Sequence, residues 1–277
     1  MQTQDFITIE SEVLSLEVFN ASENSFGVAS VIVSGKTDAV LIDAQFTLAE
    51  AEKVANRIKV SNKNLKAIFV SHGDPDFYFG LEVFKKHFPQ VTAYAAASTV
   101  EHIKATAQKK LDVWGQRLGK ALTSNVVLPQ ILIGENMELE GNQLQVIGLE
   151  SFPGRTFIWI PSLKAVVGGI NVFGNHFNAW MADAQTPDAR SLWIAILDQI
   201  TSMQPQIVVP AHGRTGDALD LTSVQHTKSY VEFYEQALKN NKTSQELIEA
   251  ITAEFPGLSF ETALQIGAKV NTGEMKW

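Results

Sequence analysis

His72, Asp74 and Asp76 lie close together in residues 65–80, which read LKAIFVSHGDPDFYFG. Imidazole nitrogens and carboxylate oxygens are groups that bind metal ions and transfer protons. The three side chains come directly after residues 67–70, an apolar run typical of a buried strand. In open α/β sheets, sites form at the carboxyl ends of strands. The stretch therefore predicts a functional site just beyond a buried strand.

The elements that must position this stretch alternate between strands and helices. Alternating apolar residues predict strands, and apolar residues at helical spacing predict helices. The predicted strands of the first half cover residues 13–19, 29–33, 39–42, 65–70 and 91–95, and the predicted helices cover 48–60 and 81–88. A longer predicted helix over residues 98–120 interrupts this alternation of strands and helices. It either covers a pocket or serves only as a packing element.

The second half begins with strands and ends with helices. Strands are predicted over residues 126–132, 157–161, 165–167 and 207–210, with a hairpin over 137–147 that turns at Gly141 and Asn142. Helices are predicted over residues 187–203 and, with breaks, from residue 219 onward. We expect residues 1–277 to form a single domain whose two halves meet near residue 125. Residues 219–277 are expected to be a C-terminal helical extension.

Composition excludes several classes of function. The chain has 277 residues, a formal net charge of -8 and no cysteine, so disulfides, thiolate metal sites and cysteine nucleophiles are excluded. The acidic balance argues against a nucleic-acid partner. No apolar run is long enough for a membrane span, and residues 1–6 lack the regions of a signal peptide. We expect a small-molecule substrate, no membrane partner, and a cytoplasmic or periplasmic location; the oligomeric state is open.

Five short motifs occur in an order that resembles the metallo-beta-lactamase superfamily. They are residues 29–43, Ser71-His72, Pro153-Gly154-Arg155-Thr156, Val167-Gly168-Gly169 and Pro210-Ala211-His212-Gly213. The resemblance extends to about Gly216. It implies an α/β (α+β) fold, a four-layer αβ/βα sandwich of two mixed β-sheets. It also implies a metal site at one edge, where loops of both halves meet.

The chain departs from the family pattern at several ligand positions. His72, Asp76 and His212 match the pattern, whereas Asp74 and Phe77 stand where histidines are expected. Arg155 replaces a third histidine, and Ile170 replaces the carboxylate that bridges two metals in the family. The resemblance therefore implies a remodelled site rather than a complete two-metal centre.

The ligands that remain suit one divalent metal ion. His72 and His212 offer nitrogens, while Asp74 and Asp76 offer oxygens, which zinc, manganese or iron can accept. A bound metal would lower the pKa of its water to about 7 and produce a hydroxide nucleophile. Asp76 would be either a ligand or the catalytic base that orients this water. His176 and Asp183 are possible additional ligands or substrate contacts.

Arg155 separates two functional hypotheses. In the first, the protein is a metal-dependent hydrolase of an ester, lactone, thioester or phosphoester, and Arg155 binds an anionic group of the substrate. In the second, Arg155 replaces the metal as the counter-charge of Asp74 and Asp76. The cleft then has no catalytic activity and serves to bind a ligand or partner.

Overall fold

The structure, a computed structural model, describes residues 6–277. Residues 1–5, on which the signal-peptide prediction mostly rests, lie outside the described residues. The strands are β1 (Phe6–Ile9), β2 (Ser15–Asn20), β3 (Ala29–Ser34), β4 (Asp38–Ile42), β5 (Asn64–Val70), β6 (Thr92–Ala95), β7 (Gln130–Ile131), β8 (Asn136–Leu139), β9 (Asn142–Ile147), β10 (Phe157–Ile160), β11 (Ala165–Val167) and β12 (Ile207–Val208). The helices are α1 (Leu48–Val60), α2 (Pro75–Tyr78), α3 (Leu81–His87), α4 (Ala97–Leu118), α5 (Pro187–Ser202), α6 (Leu221–Asn240), α7 (Ser244–Glu254) and α8 (Glu261–Asn271). Across residues 6–277, no helix has the length and apolar content to cross a membrane.

The strands form two mixed sheets. Within residues 6–277, the first sheet has seven strands in the order β1-β2-β3-β4-β5-β6-β7, and the second has five in the order β12-β11-β10-β9-β8. Antiparallel pairs join β1 through β4, whereas β4 through β7 run parallel. In the second sheet only β11 and β12 are parallel. The predicted fold class is confirmed.

Alternate residues of each strand enter two different cores. Val31 of β3 and Ile158 of β10 lie in the core between the two sheets. Their neighbours Ile32 and Phe157 lie in the core formed with the helices. Successive strand side chains point to opposite faces of a sheet, so each sheet is covered on both sides. The result is four layers, with helices outside and the sheets facing each other.

Most predicted elements are observed within two or three residues of the expected bounds, and α1 covers the predicted residues 48–60. The strand predicted over residues 126–132 is wrong in extent, because β7 is only Gln130–Ile131. Pro129 precedes it and has no N–H to donate to a neighbouring strand. The single-domain assignment, the boundary near residue 125 and the helical extension stay predictions.

Glu140 links the two sheets. It lies in the turn between β8 and β9, and its carboxylate accepts backbone N–H groups of Lys36 at 2.7 Å, Thr37 at 2.7 Å and Asp38 at 2.9 Å. These donors lie in the turn between β3 and β4 of the other sheet and at the first residue of β4. The three N–H groups lower the pKa of Glu140 to about 2.

Candidate active site

Ser71 fixes the start of the loop that carries His72. The buried carboxylate of Asp43, at the end of β4, accepts the Ser71 backbone N–H at 2.8 Å and its hydroxyl at 2.6 Å. The Ser71 hydroxyl oxygen accepts the Gly169 N–H at 2.7 Å. The Thr156 hydroxyl donates to the Ser71 carbonyl at 3.1 Å. Strand ends of both sheets therefore meet at this one serine.

A cavity of about 370 Å³ lies beyond these strand ends. Its walls are largely aromatic, and they include Phe26, Phe46, Trp114, Trp180, Phe260 and Trp277. Its polar lining includes Asp74, Asp76, His102, Lys109, Lys110, Asp183, His212 and Lys276. Helix α4 contributes six of the lining residues, from His102 to Trp114. The long helix therefore covers a pocket, one of the two roles left open by its sequence.

The first polar cluster joins Asp74 to Lys110 of α4. The Lys110 ammonium lies 2.6 Å from Oδ1 of Asp74, and it also donates to the Gly73 carbonyl at 3.1 Å. The third neighbour is Nε2 of His102 at 3.0 Å. Burial alone would raise the pKa of Asp74, but the charge and hydrogen bond of Lys110, together with the nearby His72 and His102, outweigh burial and hold that pKa well below its usual range.

His72 belongs to the same cluster. Its Nδ1 atom accepts the backbone N–H of Asp74 at 3.2 Å and lies 3.5 Å from Oδ2 of that residue. Burial lowers the pKa of His72 to about 3, with the Lys110 charge acting in the same direction against the attraction of Asp74. A neutral imidazole that accepts at Nδ1 carries its proton on Nε2. His72 is therefore a neutral group whose Nδ1 lone pair is already used.

The second polar cluster joins Asp76 to His212. Nε2 of His212 lies 3.4 Å from Oδ2 of Asp76, and Nδ1 lies 3.0 Å from the Phe26 carbonyl oxygen. Since a carbonyl accepts only, Nδ1 carries the proton and Nε2 presents its lone pair to Asp76. The imidazole is stacked between Phe173 and Phe260, at ring-centroid distances of 5.1 and 5.2 Å. Burial lowers the pKa of His212 to about 4, whereas burial and the charge of Asp74 raise the pKa of Asp76 well above its usual range.

Phe77 separates the two clusters. Its ring meets the His72 ring edge-on at 5.3 Å between centroids and the His212 ring edge-on at 5.9 Å. The Phe77 side chain is fully buried. A large apolar ring thus lies between the two imidazoles that were predicted to bind the same metal.

The guanidinium of Arg155 is buried, and Arg155 does not line the cavity. Its guanidinium carbon is 4.2 Å from the centroid of the Trp193 ring, a cation–π contact. Burial lowers the pKa of Arg155 to about 10 against the attraction of Asp183 and Asp74. The direct partner of Asp74 is Lys110, so the ion pair that the second hypothesis assigned to Arg155 is made by another residue.

Asp183 and His176, the two possible additional site residues, lie in different places. Asp183 lines the cavity, and its two carboxylate oxygens accept the indole N–H groups of Trp180 at 2.9 Å and Trp277 at 2.8 Å. His176 is exposed and lies outside the cavity lining, where its Nδ1 is 3.2 Å from Oδ1 of Asp217. The structure brings Asp183 to the cavity and leaves His176 away from it.

The donor set does not fit the single divalent metal ion expected from the sequence. The ammonium of Lys110 already neutralises Asp74, and Nδ1 of His72 accepts a backbone N–H. Phe77 separates His72 from the other two predicted ligands, Asp76 and His212. Within residues 6–277, no group of three or more His, Asp or Glu side chains is arranged to hold a metal ion. These side chains provide instead one lysine-centred cluster and one carboxyl–imidazole pair.

Sequence reasoning missed Lys110 and the role of His102. Both lie on the predicted helix over residues 98–120 and are eight positions apart, which places them near one face of a helix. That spacing was the available signal. It could not identify Asp74 as the partner, because Asp74 lies 36 positions away in the chain.

Comparisons with known proteins agree with this architecture. The family profile of the metallo-beta-lactamase superfamily matches residues 24–212, about two thirds of the chain. The chain therefore belongs to the metallo-beta-lactamase superfamily, whose fold is of the hydrolase type. No curated protein matches the sequence.

Solved structures show the same fold. A metallo-beta-lactamase from Pontibacter korlensis is 20% identical with a TM-score of 0.57, and the match covers 82% of this chain and 99% of that one. The DIM-1 metallo-beta-lactamase is 18% identical with a TM-score of 0.58, covering 82% and 97%. The metallo-beta-lactamase IND-7 is 18% identical with a TM-score of 0.57, covering 83% and 100%. Identities this low establish the fold alone.

Proposed function

We propose that this protein hydrolyses a small, neutral ester, lactone or thioester, with Asp76 and His212 as its acid–base pair and without a resident metal. The observation that carries the proposal is the 3.4 Å distance between His212 Nε2 and Asp76 Oδ2 at the cavity surface. The backbone carbonyl of Phe26 fixes the tautomer that this chemistry needs. A base held in one tautomer by a second hydrogen bond is a recurring feature of acid–base catalysis.

The pair can move both protons of a hydrolysis. The Nε2 lone pair of His212 takes a proton from water as its oxygen attacks the carbonyl carbon. Asp76, whose pKa burial and the charge of Asp74 raise well above its usual range, gives a proton to the leaving oxygen or sulfur as the bond to carbon breaks. The imidazolium of His212 then returns a proton to the adjacent carboxylate of Asp76. Protons balance, and the pair regains its starting state.

The cavity favours an apolar acyl or aryl group. Its aromatic walls can bury such a group, and burial of apolar area contributes about 25 cal/mol per Å². A phosphoester is a poorer substrate at the acid–base pair, because the negative charge of Asp74 acts on Asp76 and would repel an anion there. The N–H groups of Lys110 already have acceptors, and Lys109 and Lys276 are the other lysines of the cavity lining. We therefore narrow the substrate range expected from the sequence to neutral carbonyl compounds.

Hydrolysis of a panel of nitrophenyl esters, thioesters and lactones, assayed with and without a strong chelator, tests the proposal. We expect activity that the chelator leaves unchanged and that falls about 100-fold or more in His212→Ala and Asp76→Asn. His87→Gln is the matched control, because His87 pairs with Glu52 and does not line the cavity. Retained activity in His212→Ala would exclude the proposed base. A protein that binds these compounds without cleaving them would have a purely ligand-binding role.

A metal-dependent hydrolase is the second candidate, and the orientation of His212 favours it. Histidines that bind metals usually donate their other N–H to a carbonyl or carboxylate, as His212 does to Phe26. In that case Lys110 must leave Asp74 when the metal enters. Loss of activity on chelation, with recovery on adding zinc, manganese or iron, would favour this candidate over the first.

A further inference from the structure

We infer that the ammonium group of Lys110 occupies the cation position of this site and closes it to divalent metals. The inference goes beyond the proposed reaction, since it concerns which cation the site holds whether or not hydrolysis takes place. It starts from the surroundings of one atom, Nζ of Lys110.

Three acceptors surround this atom. They are Oδ1 of Asp74 at 2.6 Å, the Gly73 carbonyl at 3.1 Å and Nε2 of His102 at 3.0 Å. A lysine ammonium has three N–H donors, so each has one acceptor. The set of two oxygens and one imidazole nitrogen is of the kind that also binds divalent metals. Here a covalently attached cation fills it.

The backbone at Gly73 allows α4 to approach closely enough for these contacts. A Cβ atom at Gly73 would lie 2.6 Å from Cδ2 of His102, well inside van der Waals contact. Glycine therefore lets the His102 ring pack against the loop, with Lys110 reaching the Gly73 carbonyl from the same helix. Helix and loop together form the acceptor set.

Charge explains why a metal is excluded. An ammonium and a divalent ion repel each other strongly when they share a ligand, because the interaction of two charges increases as their separation falls. A metal bound at the other oxygen of Asp74 would lie close to the ammonium on Oδ1 and would be repelled by it. The second polar cluster, Asp76 with His212, offers a metal only two ligands, and Phe77 separates it from His72.

Removal of the ammonium provides the test. In Lys110→Ala, the three acceptors lose their cation while the backbone of α4 remains. The matched control is Lys104→Ala, which also removes a lysine from a carboxylate pair on α4, at 2.8 Å from Glu101, but on the exposed surface. Thermal unfolding and metal content by mass spectrometry are measured for wild type and both variants. The additives are zinc chloride, manganese chloride and n-propylammonium chloride.

We expect wild type and Lys104→Ala to bind less than about 0.1 equivalent of either metal and to keep the same unfolding midpoint in all additives. Lys110→Ala should unfold at a lower temperature. Either n-propylammonium or a metal should recover about half or more of the lost midpoint in this variant alone, because a ligand that binds only the folded state stabilises it. Lys110→Met, which keeps most of the side-chain stem, separates the loss of charge from the loss of packing.

Two results would overturn the inference. One is a stoichiometric metal in wild type with Lys110 intact. The other is a Lys110→Ala protein that is no less stable than Lys104→Ala and responds to none of the three additives. Should Lys110→Ala fail to fold, the same comparison is made with Lys110→Met. Failure to find a hydrolysable substrate would count against the proposed function and would leave these metal and stability measurements unaffected.

Discussion

Asp43 holds Ser71 through two hydrogen bonds, from the backbone N–H at 2.8 Å and from the hydroxyl at 2.6 Å. Both residues are buried, and Asp43 has a positive φ of 62° that few side chains adopt readily. The residue next to Ser71 is His72. The position of the site loop therefore depends on an aspartate at the end of a neighbouring strand.

Replacement of this aspartate should destabilise the protein. In Asp43→Ala, two buried donors of Ser71 lose their acceptor and alanine must adopt a left-handed conformation, so we expect a loss of about 3 kcal/mol. Asparagine tolerates the left-handed conformation and keeps one acceptor oxygen, so Asp43→Asn should lose only about 1–2 kcal/mol of unfolding free energy. Urea unfolding measures both values. Equal losses in the two variants would argue against the hydrogen bonds as the cause.

Phe77 should contribute to stability as well as to the separation of the clusters. Its side chain is fully buried, so Phe77→Ala should lose about 3–5 kcal/mol of unfolding free energy. Phe77→Leu fills most of the space and should lose about 1 kcal/mol. Ile133→Ala is the control, because Ile133 is 94% exposed, and it should stay within about 0.5 kcal/mol of wild type. A small effect of Phe77→Ala would mean that the rings around it can collapse.

Glu140 should make stability depend on acid pH. Its pKa is lowered to about 2 in the folded protein from an ordinary value of 4.5, so its contribution is present above pH 4.5 and is lost as pH falls toward 2. The stability difference between wild type and Glu140→Gln should therefore be largest near pH 7 and shrink between pH 4.5 and 2. Urea unfolding of both proteins at pH 7, 5 and 3.5 gives this difference. A difference that is constant with pH would contradict the assignment.

Two glycines should respond in opposite ways to alanine. A Cβ atom at Gly80 would overlap the carbonyl oxygen of Ala44 and lie 2.8 Å from Cβ of Ala51. Gly80→Ala should therefore lose about 3 kcal/mol or more of unfolding free energy. Gly115 lies within α4 with open space around it, and Gly115→Ala should gain about 1 kcal/mol from helix propensity. Thermal unfolding of the two variants checks both signs.

Much of the fold followed from local patterns. The apolar spacing of residues 48–60 predicted α1, and two buried strands ended where His72 and His212 stand. Both signals depend on neighbours in the sequence and on whether a face is buried. Of the predicted site residues, Asp74, Asp76, Asp183 and His212 line the cavity, whereas His72, Arg155 and His176 lie outside its lining.

The partners within the site did not follow from the sequence. Lys110 reaches Asp74 because of how α4 is rotated and seated against the loop, and residues 36 positions apart carry no local signal of that. One of the two hypotheses assigned this charge to Arg155 because of its place in a motif. Its guanidinium instead stacks on Trp193, since a planar cation gains from an aromatic face that local sequence does not reveal.

The indoles at the cavity give the protein a built-in optical probe. The rings of Trp180 and Trp277 lie 5.4 Å apart and are inclined at 66°, close enough for their electronic transitions to couple. Such coupling appears as a paired signal in far-ultraviolet circular dichroism, where the indole transition is strongest, and changes when either ring moves. Because Asp183 orients both indoles by hydrogen bonds, a molecule that enters the cavity and disturbs this carboxylate changes the spectrum. Binding can thus be followed without a label, before any substrate is known.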